Sequence, residues 1–387
     1  MKKHFFLIAG LIALLGIGCA DFPTSYSRIE PDKSRLLDFI YEPAEAAPGD
    51  TVLCKAIFAG KTVSPDDLTW RTSYNITVNE YGISTAADTV PLEIIPVDCT
   101  FSDRTSCIAF RFVIPDDIVA NSSAVPENWL SFIPDYYREA IPQEFRAFSK
   151  SDFLQMVDLL STPGMVPADA FDEESRSLFP LLLQCFTVPV QLYCTVRGGH
   201  MIVSDYSVRY NSRFASIPGT GVPVNRNPVI DSIRIYAVEK NPLTYFAPSD
   251  CDHPFTFATV TGDTTVLHVE KDKSYFIAVF TGNVDTSVSI DAAMGNGVPL
   301  PEQHLTQWYL EFDQGELDEV APSDLMQISG DDVTDGQHIA RLYPSLDHAI
   351  TRCTAWIEVG DMFLNELYRP HGSTLKELRF RFEYDEN

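Results

Sequence analysis

The chain has 387 residues, with 28 Lys plus Arg against 54 Asp plus Glu and a net charge of −26. Such acidity argues against nucleic-acid binding, which needs a basic face for phosphates, and against an electrostatic grip on anionic lipid. Hydrophobic residues at 45% and aromatics at 12% are enough for packed cores and exclude wholesale disorder. At about 150 residues per domain, the length sets two domains, or three.

At the N-terminus Lys2 and Lys3 precede an apolar run, Phe5 to Ile17, broken only by Gly10 and Gly16. The run is shorter than the roughly 20 residues that span a bilayer and fits a cleavable export signal over 1–18. Gly18 followed by Cys19 resembles the lipobox of bacterial lipoproteins, with Leu15 one step further from the cysteine than is usual in that family. The resemblance implies that Cys19 becomes the mature N-terminus, carries acyl chains and ties the protein to a membrane. An ordinary signal peptide cut near Gly18 or Ala20 is the competing reading. Ala20 is not the Asp that resembles an inner-membrane retention signal in some Gram-negative bacteria, which points to an outer membrane. Residues 19–34, with the polar stretch Thr24 to Ser27, read as a tether.

From residue 35 the pattern is that of strands. In "LLDFIYEPAEAAPGDTVLCKAIFAGK" a strand, a Pro-Gly-Asp turn and a second strand follow one another. In the second strand Val52, Cys54, Ala56 and Phe58 alternate with Leu53, Lys55 and Ile57, one set on each face. Trp70 lies on a third strand, "LTWRTSY". The closing pair "VPVQLYCTVRGGHMIVSDYSVRYN" has Val190, Leu192, Cys194 and Val196 on one face and a Gly198-Gly199 turn. The apolar parity then shifts between Met201, Val203 and Tyr206, Val208, which predicts a β-bulge at Ser204 or Asp205. Between these strands, residues 116–186 change character. Prolines open short helical stretches. "SKSDFLQMVDLLS" places Phe153, Leu154, Val157 and Leu160 on one helical face behind a Ser149/Asp152 capping box, and Pro180 bends a further helix. This predicts a helical insertion, either functional or a cover over a sheet edge.

Residues 214–227 have the Gly and Pro density of a linker. Residues 228–387 repeat the first pattern: "VIDSIRIYAV", "KSYFIAVFTGN" with Phe276 standing where Cys54 would be, "LTQWYLEF" with Trp308, and the closing strands "CTAWIEVGD" and "TLKELRFRFEY". Short strands, frequent turns and a tryptophan strand in each half resemble the immunoglobulin-like β-sandwich. The expected fold is therefore mainly β: two immunoglobulin-like antiparallel sandwiches, over 35–213 and 228–387, the first carrying the helical insertion. The resemblance also implies a bridge between Cys54 and Cys194 beside Trp70, an arrangement that stabilises by about 2–4 kcal/mol where it forms. Cys99 and Cys107 flank "TFSDRTS" and suit a hairpin closure; Cys251 with Cys353 is a weaker pairing and Cys185 is left over. Free buried thiols are the alternative.

Chemistry-bearing motifs are sparse. The chain contains no H-E-x-x-H, no G-x-S-x-G and no phosphate-cradling loop. Ser373 to Lys376 matches Ser-x-x-Lys without its companion motifs, and His304, His338, His348 and His371 lack the close spacing of zinc ligands. Asp331, Asp332 and Asp335 form a weak calcium candidate that a polar turn explains equally well. No cofactor is expected. The leading expectation is a non-catalytic envelope lipoprotein acting as a spacer or as an adhesion and binding module, with the membrane as partner through Cys19 and an envelope protein or polysaccharide as a second. The alternatives are a carbohydrate-binding surface protein using exposed aromatics and a hydrolase with its site near the helical insertion.

Overall fold

In the computed structural model the described residues are 27–75, 89–125, 143–161, 186–197, 201–215, 224–239, 256–259, 264–282, 286–287, 300–301, 303–313, 326–334, 337–344, 350–362 and 372–384, with a few single residues between them. The fold is mainly β, in two sandwiches. The first strand, β1 (Ser27–Arg28), belongs to the second of them. The first sandwich comprises β2 (Ser34–Glu42), β3 (Thr51–Gly60), β4 (Leu68–Asn75), β5 (Thr89–Leu92), β6 (Ile95–Val97), β7 (Thr105–Val113), β8 (Val188–Val196) and β9 (Met201–Val208). Its sheets run β2-β3-β7-β6 and β5-β4-β8-β9. This is the A-B-E-D and C′-C-F-G order of an immunoglobulin-like sandwich.

Alternation decides which side chains meet between the sheets. Cys54 on β3 and Cys194 on β8 both point inward and are fully buried. Trp70 on β4 lies directly across from Cys194, its ring 5.1 Å from Phe110 and 6.3 Å from Phe39 of the facing sheet. The expected bulge in β9 is absent: its register against β8 runs unbroken from Met201 to Val208. Ile202, Ser204, Tyr206 and Val208 hold the inner face, and Met201 and Val203 are 59% and 45% exposed on the outer one. The apolar parity misleads because the outer face of this edge strand carries two aliphatic side chains.

The insertion leaves the sandwich after β7 and returns at β8. Its described part holds α1 (Ile118–Asn121), α2 (Gln143–Arg146) and α3 (Lys150–Ser161); the bend at Pro180 lies outside the described residues. The capping box forms: Asp152 accepts from the Ser149 N–H at 2.9 Å, and the Asp152 N–H donates to Ser149 Oγ at 3.1 Å. Phe153 and Val157 are fully buried, and Phe153 stacks on Phe186. Both join the apolar cluster that contains Cys54 and Tyr206, so the insertion extends the sandwich's own core. After β9 a short helix, α4 (Asn211–Ala215), adds Phe214 to the same cluster.

The second sandwich comprises β10 (Val229–Glu239), β11 (Thr256–Thr259), β12 (Thr264–Val269), β13 (Lys273–Gly282), β14 (Thr286–Ser287), β15 (Leu300–Pro301), β16 (Gln303–Phe312), β17 (Met326–Thr334), β18 (Gln337–Pro344), β19 (Arg352–Met362) and β20 (Ser373–Tyr384). Its sheets run β11-β10-β13-β18-β17 and β1-β16-β19-β20-β12, with β14 and β15 paired on their own. The two halves share a detail of register: β2 slips between Leu36 and Asp38, and β10 between Ile230 and Ser232. Trp308 on β16 lies across from Ile357 and is buried with Tyr275, Ile277 and Val279. Phe276 therefore does not take the place of Cys54; it lies on the opposite face of β13, with Tyr236 and Ala278.

Two expected boundaries change. The chain from Ser27 onward is not free tether. β1 adds a parallel strand to β16, pairing Ser27 with Tyr309 and Arg28 with Leu310, and Ile29 is 1% exposed. At the other end of the expected linker, Asn225 is buried. Asn227 donates to the Tyr41 carbonyl at 2.7 Å and accepts from the Ser373 N–H at 3.0 Å.

These contacts belong to an interface of sheet on sheet. The outer face of the β2-β3-β7-β6 sheet presents Leu37, Ile40, Ile57 and Ala59. The outer face of the β16-β19-β20 sheet presents Tyr309, Trp356 and Leu375, and the two sets form one buried cluster with Ile29. Trp356 is fully buried, and its indole N–H donates to Glu377 at 3.0 Å. Around the rim Ser102 bonds Glu377, Arg379 pairs with Asp103, and Arg104 binds both oxygens of Asp313 at 3.0 and 3.1 Å. Such a buried seam with a charged rim has the anatomy of a specific interface.

Candidate functional site

Two loops of the first sandwich, the β3–β4 connection and the β8–β9 hairpin, meet the start of β2 at one end of the molecule. Immunoglobulin-like domains carry ligand-contacting loops at this end. The close approach is built on Gly60, whose φ of +78° is open to glycine at little cost. A Cβ there would lie 2.2 Å from the Lys33 carbonyl oxygen and 2.6 Å from that of Glu30. The Lys61 N–H donates to the Lys33 carbonyl at 3.1 Å, so the two segments are tied side by side. From the hairpin, the Arg197 N–H donates to the Asp67 carbonyl at 2.8 Å and its guanidinium to the Asp66 carbonyl at 3.3 Å.

Between these segments lies a groove of about 610 Å³. Leu36, Val196 and Ile202 form its apolar part; Lys33, Arg35, Lys61 and Arg197 line it with positive charge, against Asp32 alone. Two further carboxylates lie close to these cations. Glu30 pairs with Lys33 and raises its pKa. Asp67 accepts from the Ser64 N–H and hydroxyl at 3.1 and 2.8 Å, and these bonds hold its carboxyl below the usual range, with smaller contributions from Arg197 and Lys61. Arg35 and Lys61 make no ion pair among the described residues.

A second depression, about 340 Å³, lies on the rim of the interface and is lined by Arg104, Arg352, Arg379 and Arg381. There Arg104 pairs with Asp313, Arg379 with Glu377 and Asp103, and Arg381 with Glu383, while Arg352 makes no ion pair among the described residues. It closes the seam between the sandwiches.

The structure places the sequence candidates as follows. A disulfide joins Cys99 and Cys107, with Cα atoms 5.4 Å apart. The bridge implied between Cys54 and Cys194 is not formed, and both are free buried thiols. Burial pushes the Cys54 thiol well up, and that of Cys194 to about 12. They fill the core beside Trp70. Cys353 is likewise a free buried thiol, and Cys19, Cys185 and Cys251 lie outside the described residues. Asp331 and Asp332 fall within β17 instead of a loop, and Asp335 lies outside the described residues. Among the described residues no three His, Cys, Asp or Glu side chains are placed to hold a metal ion together. His304 is buried, with Nδ1 2.7 Å from the Thr281 hydroxyl. Ser373 opens β20 with its N–H on Asn227, while Lys376 is exposed, so the pair is built into a strand that seals the interface. His338 falls in β18; His348 and His371 lie outside the described residues.

Sequence reasoning missed the groove. Lys33 stands in what reads as tether and Arg35 at the first residue of the sandwich, and Lys61 and Arg197 are distant in the chain. The signal was present in the sandwich template itself, which puts 61 and 197 on loops at one end.

No family profile matches the sequence, and no curated protein sequence matches it. Among solved structures, the chain is similar to the titin domains Z1Z2 in complex with telethonin, at 9% identity over 91% of this chain and 98% of that one, with a TM-score of 0.18. It is also similar to the full ectodomain of mouse nectin-like molecule 4, at 10% identity over 92% of this chain and 65% of that one, with a TM-score of 0.15. Superpositions at that level carry no argument. The class of the protein, a tandem of immunoglobulin-like sandwiches, rests on strand order.

Proposed function

We propose that this chain is a non-catalytic lipoprotein of the bacterial cell envelope, anchored through Cys19 in the outer membrane, that acts as a binding module. The observation that carries the reading is the buried apolar seam that seats one sandwich on the other and leaves the loop-end groove open. A loop-lined groove on a stiff double sandwich is suited to holding a ligand, because little conformational entropy is lost on binding. The acidic, solvated surface elsewhere suits an exported body that must stay dispersed. The export-signal pattern and the lipobox resemblance supply the location.

Where aromatic stacking on sugars is concerned, the exposed large apolar side chains among the described residues are all aliphatic. Trp308 and Trp356 are buried and Trp70 packs on Phe110, which favours a polar ligand contact over a flat aromatic platform.

The test is labelling with radioactive palmitate and cell fractionation. The wild-type chain is expected to take up label and sediment with outer membranes, and Cys19→Ala to remain unlabelled and to leave the membrane fraction. Label on the Cys19→Ala chain, or an intact leader in the cytosol, overturns the anchoring.

A further inference from the structure

We infer that the groove at the β3–β4 and β8–β9 end is an oxyanion site, taking a ligand that carries two or more carboxylate or phosphate groups. This deepens the binding-module reading and rests on it. Three observations carry it together. First, four cations from three separate segments, Lys33 and Arg35, Lys61, and Arg197, converge on one groove of about 610 Å³ in a chain of net charge −26. Like charges gathered at one place repel, and such a cluster is relieved by a counter-charge held between them.

Second, the described residues supply only part of the counter-charge: Glu30 pairs with Lys33, and Asp32 and Asp67 lie near the cations. Arg35 and Lys61 have no ion-pair partner among the described residues, and Arg197 gives its guanidinium to a backbone carbonyl. In the arginine-lined depression on the interface rim, by comparison, three of the four arginines, Arg104, Arg379 and Arg381, each hold a carboxylate. Third, the geometry is built. The approach of Lys61 to Lys33 depends on the positive φ of Gly60 and the missing Cβ. Guanidinium groups bind carboxylate and phosphate oxygens in a two-point fork, and ammonium groups add point charge. The apolar strip of Leu36, Val196 and Ile202 lies beside these donors, where the carbon skeleton of an organic acid would rest.

Isothermal titration of the full chain, purified in detergent, tests this with tripolyphosphate, polygalacturonate and neutral dextran as probes. Arg35→Glu/Lys61→Glu is compared with Lys271→Glu/Lys376→Glu, which makes the same change of net charge on the second sandwich. The expected result is saturable binding of tripolyphosphate, polygalacturonate or both, weakened at least tenfold by the groove pair and within twofold of wild type in the control pair. Phosphate against uronate affinity identifies the source of the oxyanion. Gly60→Ala, with disulfide and melting temperature checked, is expected to weaken binding as well. Equal losses in the two double variants, or no binding of either acidic probe, overturn the inference. Dextran binding as tightly as polygalacturonate overturns it while leaving the binding module intact, whereas turnover of any probe overturns the module itself.

Discussion

Asp38 is a residue whose charge the fold resists. It follows the register slip in β2 and faces the second sandwich, 9% exposed. Burial is the main cause that lifts its pKa to about 8, and the Glu358 carboxylate facing it from β19 adds to the shift. Glu358 is raised too, by its own burial, against the bond it accepts from the Tyr309 hydroxyl at 2.9 Å. Arg35 is the nearby cation, acting on Tyr309. Ionising both carboxyls in a poorly solvated seam is costly, so Asp38 keeps its proton well above the usual carboxylate range. The sign follows from linkage. The folded chain binds a proton that the unfolded chain releases near pH 4, so this stability is full below about pH 4 and is lost as pH rises toward about 8. Asp38→Asn keeps an uncharged donor in place. Its melting temperature is expected to match wild type at about pH 3, below the unfolded carboxyl's pKa, and to exceed it at pH 8, by about 2–4 °C for each kcal/mol recovered. A mutant lowered equally at both pH values contradicts a protonated Asp38.

At the scale of elements, β1 is the least predictable strand and one of the more consequential. It is two residues long, yet it gives the β16 edge a parallel neighbour, and the Ile29 N–H donates to the Leu310 carbonyl at 2.7 Å. It also delivers Ile29 into the seam beside Trp356. Ile29→Ala is expected to cost about 2–5 kcal/mol, the usual range for emptying a fully buried aliphatic site, and denaturant unfolding measures it. Why β1 was not legible is physical. "SRIE" is too short for any periodicity, and its partner lies some 280 residues downstream. Other elements were legible because alternation constrains them. Cys54, Trp70 and Cys194 fall on inner faces as the pattern requires, and Phe153 and Val157 on the buried face of α3. The interface had a signal that half-buried patterning does not explain. β2 reads "SRLLDFIYE", apolar on both faces, with Phe39 and Tyr41 turned to the core and Leu37 and Ile40 to the other sandwich. A strand apolar on both faces is covered on both. The groove had no such signal, since charge on loops is the ordinary condition of a surface.

For the whole molecule the interface decides between two shapes. Two sandwiches joined by a flexible linker would form an extended pair, a spacer that swings about residues 214–227. Instead the end of that linker is pinned by Asn227 between Tyr41 and Ser373, and a broad apolar face on each sandwich is buried against the other. Interfaces of this kind hold domains as one body when they are apolar at the centre. A single body of about 360 residues has a radius of gyration of roughly 21 Å, and an extended pair is several ångström larger. Small-angle X-ray scattering of the full chain in detergent, matched out by contrast, is expected to give the smaller value. Trp356→Arg places a charge at the centre of the seam, where removing it from water without a partner is costly. That variant is expected to raise the radius by several ångström while far-ultraviolet circular dichroism keeps its strand signature, because Trp356 faces the seam and not the core formed by Trp308 and Ile357. A wild-type radius already at the extended value would show that the sandwiches swing freely, and the fixed orientation of the groove would go with it.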